Sequence, residues 1–135
     1  MNDELISTDL ELIVLKQSSI EARLNFNLAQ KRYLRAVLDR KASDDLRIKA
    51  EACLLSVRAY ESALRKFRNS LLDAEQTEGV KAELALSEIA LRSLDRYQST
   101  YTRLIAEHER RGWQRLKTML CKACATRRED EMKQR

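Results

Sequence analysis

The stretch LRIKAEACLLSVRAYESALRKFRNSLLDA, residues 46–74, decides the fold. Within it Leu46, Ala50, Cys53, Val57, Tyr60, Leu64, Phe67, Leu71 and Ala74 succeed one another at alternating steps of four and three, without an interruption. An α-helix completes a turn in about 3.6 residues, so this spacing draws one apolar stripe down one side of a rod and leaves the charged residues on the other. A strand would require alternation at every second residue, which the stretch lacks.

The flanking residues supply the stops. Upstream, Arg40-Lys41 suits the negative end of a helix dipole, and Ser43 followed by Asp44 and Asp45 suits a capped, positive beginning. Downstream, Glu78-Gly79 marks a helix end, because glycine tolerates the left-handed backbone that commonly closes one. Thr8 and Glu11 stand at capping-box spacing, which opens a further helix there or a turn earlier. The expected helices are 8–41, 44–77 and 79–111, each about 50 Å long at about 1.5 Å per residue. Matched rods with tight connections pack up-down-up, so the expected fold is an all-α, antiparallel three-helix bundle or coiled coil. Residues 112–135 then form a basic C-terminal extension or a short fourth helix.

The first rod carries two seams, not one. Ile6, Leu10, Ile13, Ile20, Leu24, Leu34 and Leu38 form one, and Leu12, Leu15, Ala22, Phe26, Ala29, Tyr33 and Ala36 form another beside it. Two apolar faces require two neighbours, supplied within the chain or by self-association. Gln17, Asn27 and Lys31 interrupt the first seam and are expected at its margin, reaching water, with a register-setting role as the alternative. The third rod is also two-sided: Leu84, Leu91, Leu94, Tyr101, Ile105 and His108 share one line, with Leu86, Ala90, Tyr97 and Leu104 beside it.

Composition agrees and narrows the function. Ala, Glu, Lys, Leu and Arg make up 75 of 135 residues, and there is no proline. With only Gly79 and Gly112 available, no glycine-rich phosphate cradle or dinucleotide fingerprint can be assembled. Leu12-Ile13-Val14-Leu15 is the longest aliphatic run, far short of the roughly 20 apolar residues of a membrane span. The acidic Met1-Asn2-Asp3-Glu4 start does not resemble a secretory leader, and three cysteines make no disulfide framework, so a cytoplasmic location with reduced thiols is expected.

Charge is segregated. Residues 1–102 hold 16 basic and 16 acidic side chains, so the net +5 lies in the remainder. Between positions 110 and 128 stand seven cations, Arg110, Arg111, Arg115, Lys117, Lys122, Arg127 and Arg128, with no anion, interleaved with Trp113, Leu116, Met119 and Leu120. Trp113, Leu116, Leu120 and Ala123 share a helical face, which reads in two ways. Either Trp113 and Leu116 continue the core beneath a solvated cationic face, or a basic amphipathic helix docks on something outside the chain. The outside candidates are an acidic protein partner, nucleic-acid phosphates and an anionic membrane surface, in that order. The acidic start, Asp3, Glu4, Asp9 and Glu11, pairs in principle with the basic finish of a second molecule, giving a homo-oligomer.

The motifs that carry chemistry are weak. Cys121-Lys122-Ala123-Cys124 lacks a second ligand pair at finger spacing, and Ala125 stands where haem attachment needs histidine. Redox use is an alternative, since neighbouring cations favour thiolate, but small apolar packing is the expected role. His108 is the sole histidine, and Ile105 stands where a di-iron Glu-x-x-His motif needs glutamate. It is expected at the end of the seam beside Tyr101 and Ile105, with one ring nitrogen in water. Tyr60, Tyr97 and Tyr101 are expected to pack their rings and send their hydroxyls to the rim. The expected protein is therefore not an enzyme and has no cofactor, metal or small-molecule substrate. It is an adaptor, chaperone-like or scaffold module that binds a macromolecule through its helix faces and the 110–128 helix. Nucleic-acid binding is the alternative.

Overall fold

The computed structural model describes residues 2–133, and three helices account for nearly all of them: α1 (Asn2–Leu38), α2 (Ser43–Asp73) and α3 (Glu78–Lys133). The all-α bundle is as expected; the helix bounds are not. Thr8 and Glu11 fall inside α1, which already runs from Asn2. At its other end α1 stops at Leu38, where the Arg40 amide donates to the Val37 carbonyl at 3.1 Å and the Lys41 amide to that of Ala36 at 3.0 Å. This paired closure needs a left-handed residue, and Arg40 takes that conformation with φ 53°. Neither glycine does so.

Ser43 is the first residue of α2 and not its cap; Ala42 holds that position without a side-chain hydrogen bond, while Asp44 and Asp45 occupy the first turn. The helix ends at Asp73, four residues before the expected stop. There Gln76 Nε2 donates to the carbonyls of Leu71 at 3.0 Å and Ala74 at 2.9 Å, satisfying groups that the helix end leaves open. Thr77 then caps α3 by accepting from the Val80 amide at 3.2 Å, so Gly79 lies in the first turn of α3.

The core is the α2 stripe and what meets it. Ala50, Cys53, Val57, Tyr60, Leu64, Phe67 and Leu71 are all buried, and Leu46 and Ala74 lie at the two ends. α2 packs against both neighbours, whereas no Cα atom of α1 comes within 8 Å of one in α3 among the described residues. α1 and α3 run parallel and meet through long side chains. Phe26 stands edge-on to Tyr97 at 5.2 Å and to Tyr101 at 6.3 Å, and Tyr33 edge-on to Tyr101 at 6.0 Å between ring centres. Gln30 Nε2 donates to the Tyr101 hydroxyl at 3.0 Å, and Lys16 pairs with Glu83. Between α2 and α3, Glu61 accepts from Gln98 and from Arg65; the Arg65 hydrogen bond is the main reason its carboxyl lies below the usual range.

The three rods are unequal. α3 has 56 residues, about 84 Å at about 1.5 Å per residue, against 37 in α1 and 31 in α2. Residues 112–133 continue α3 without a break, and the bundle ends where Gly112 passes the first turn of α2. A Cβ at Gly112 would lie 3.4 Å from Asp44 Oδ1.

Candidate functional site

Beyond Gly112 α3 leaves the bundle, and every residue from Trp113 to Ala125 is exposed. Trp113 is 72% exposed and Leu116 48%, which overturns the expectation that they extend the core: α1 and α2 end too early to cover them. Met119 and Leu120 are exposed by 61% and 59%. A helix of this length with so much apolar surface in water draws little stability from itself, since helices are held mainly by the packing of an apolar face.

The structure divides the expected cations into groups. Arg110 and Lys117 flank Trp113, Leu116 and Leu120 along a shallow apolar groove of about 350 Å³. The line continues with Lys117, Leu120, Cys121, Cys124 and Arg128 around a second hollow. Arg115 lines another hollow, with Gly112, Leu116 and Met119 of α3 on one side and Ser43 and Asp44 at the start of α2 on the other. Arg111 donates to Glu107 at 2.8 Å and is thereby partly neutralised. Lys122 shares the side of Arg111 and Arg115 by helical spacing, and Arg127 lies in line with Leu116 and Leu120. Trp113 also closes a groove of about 480 Å³ against Asp44, Arg47 and Glu109, where α3 leaves α2.

Three expectations about chemistry need correction. Cys121 and Cys124 do not pack; both thiols are exposed, on the part of α3 that runs past the start of α2. Cys53 is the buried thiol, and burial raises its pKa. His108 does not reach water. Its Nε2 lies 2.8 Å from the Tyr33 hydroxyl, which can donate or accept, and its Nδ1 is buried without a partner. Burial, with Arg111 second, holds the imidazole below its ordinary value, while burial raises the Tyr33 hydroxyl and pushes that of Tyr101 up to about 12. Tyr101 likewise turns its hydroxyl inward to Gln30, not to the rim. The 3-4 pattern placed His108 on the right face but gave no sign of Tyr33 across the bundle, because the two lie 75 residues apart.

No group of three or more histidine, cysteine or acidic side chains able to hold a metal ion occurs among the described residues. Among the same residues no helix is long and apolar enough to cross a membrane. No protein-family model, curated protein or solved structure matches the chain.

Proposed function

We propose that the protein is a non-enzymatic helical interaction module whose α3 extension is a docking arm for a protein partner. The observation that carries this reading is the exposed Trp113–Leu116–Leu120 face, edged by Arg110, Lys117 and Arg128, on a segment that touches its own chain only at its root beside the start of α2 and is otherwise exposed from Trp113 to Ala125. Large rigid aromatics and arginine are the side chains most often found at the centre of binding interfaces. Such a face fits an apolar groove rimmed with carboxylates, as amphipathic helices do in helix-in-groove recognition.

The alternative is nucleic acid, favoured by seven cations without an anion across 110–128. The two readings separate in one experiment: capture from lysate on the full chain and on Trp113→Ala, with nuclease treatment and a salt titration. Protein docking requires a nuclease-resistant polypeptide that is lost with Trp113→Ala. Capture of nucleic acid alone, with a log-affinity against log-salt slope near about −6 for seven phosphate contacts, would replace it by the alternative. Trp113 is the only tryptophan, so a blue shift of its emission on adding the captured partner reports burial of this face directly.

A further inference from the structure

We infer that the outer face of α1 is a self-association surface, and that two copies of this chain pair there antiparallel about Leu24. The buried side of α1 carries Phe26, Ala29, Tyr33 and Ala36; the opposite side carries the other seam, which the bundle leaves uncovered from Leu10 to Leu38. Its exposed apolar residues range from Ile20 at 37% to Leu38 at 81%, with Leu24 at 57%.

The order of this face is symmetric. Ile20 and Leu28 stand four residues on either side of Leu24, Gln17 and Lys31 seven, Val14 and Leu34 ten, and Leu10 and Leu38 fourteen. A two-fold axis at Leu24 therefore brings these apolar residues level with apolar ones and Gln17 level with Lys31, while the third interruption, Asn27, comes level with Glu21 and Ile13 with Arg35. An isologous interface requires this of a surface, because the same patch must complement itself.

Charge selects the antiparallel sense. From Asp9 to Glu21 the helix carries Asp9, Glu11 and Glu21 against Lys16, whereas residues 22–38 carry Arg23, Lys31, Arg32 and Arg35 with no carboxylate. Parallel copies set like ends together; antiparallel copies set each acidic end beside a basic one. The area suffices as well. Seven apolar side chains of the symmetric set, at roughly 100 Å² each, offer about 700 Å², close to the ~800 Å² that each partner contributes to a standard interface. Because α3 runs parallel to α1, the pair places its two cationic arms at opposite ends.

Sedimentation equilibrium on the full chain tests this, beside Leu24→Glu, which sets two charges at the axis without touching the core. The expected result is a dimer for the parent and a loss of at least about 100-fold in dimer affinity for Leu24→Glu, with unchanged helicity and a melting temperature that no longer rises with protein concentration. In a Cys121→Ser, Cys124→Ser background, Leu24→Cys crosslinks with itself under mild oxidation, while Leu10→Cys crosslinks only with Leu38→Cys. A monomer at every concentration, a dimer indifferent to Leu24→Glu, or self-crosslinking of Leu10→Cys each overturns the inference.

Discussion

The two halves of α3 are one unbroken helix with opposite surroundings. From Glu78 to Gly112 its apolar line is covered: Leu91, Leu94, Tyr101 and His108 are each less than 10% exposed. From Trp113 onward a similar alternation of apolar and cationic residues stands in water. The difference shows that amphipathic spacing makes a face and says nothing of whether the face has a neighbour. Where α2 begins at Ser43, the cover ends.

The largest expected contrast is in thiol reactivity. Cys121 and Cys124, on the uncovered half, should react readily with a thiol reagent, and Cys53, at 0% exposure, only when the bundle opens. A native chain with a core stability of several kcal/mol implies a ratio of about a thousandfold or more. Three equally fast thiols would mean that the core opens freely.

Truncations on the two halves come next. Leu94→Ala should cost about 3 kcal/mol in chemical denaturation, since Leu94 is 2% exposed, while Trp113→Ala should fall within about 0.5 kcal/mol of the parent. A large cost at Trp113 would show that the arm packs on the bundle after all.

The Tyr33–His108 pair lies at the last covered turn, and its effect is smaller. Tyr33→Phe should destabilise by about 1–3 kcal/mol, because it leaves a second imidazole nitrogen buried without a partner. The folded imidazole titrates below the ordinary 6.5, so its contribution to stability should be constant above that pH. As pH falls below it the unfolded chain takes up a proton first and stability declines, levelling once the folded imidazole is charged too. Melting temperatures across this range, compared with Tyr33→Phe and with His108→Leu, check the sign; the decline should vanish in His108→Leu.

Backbone substitutions at the boundary give the smallest changes. Gly112→Ala should stabilise α3 by about 0.5–1 kcal/mol and stiffen the root of the arm, given that the added methyl meets only the Asp44 carboxylate at 3.4 Å. Arg40→Gly should gain about 1 kcal/mol by relieving a left-handed arginine. Loss of stability at either position, read from denaturant midpoints, would mean that the side chain or its absence holds a contact not accounted for by backbone conformation.

Much of the fold is legible in the chain. The α2 stripe is read residue for residue, because its 3-4 spacing is faced on both sides and nearly every member is buried. The helix stops are read less well. Glycine is the usual left-handed closer, yet Arg40 closes α1, and the caps at Gln76 and Thr77 depend on side-chain hydrogen bonds that a glycine rule overlooks. Of the candidate surface, the residues from Arg110 to Arg128 are visible as a run of charge, but their division between the groove side and the α2 side is not.

By itself the sequence determined that three helices make the bundle, which residues share a face on each, and where the excess positive charge lies; it left open whether residues 112–135 form a fourth. Those properties follow from periodicity and composition, which are local. Only the tertiary structure decided which of the two α1 seams is inside, that α3 outruns its neighbours, and that Trp113, Cys121 and Cys124 face water while His108 does not. Burial depends on what distant segments are long enough to cover, and no short window of residues contains that information.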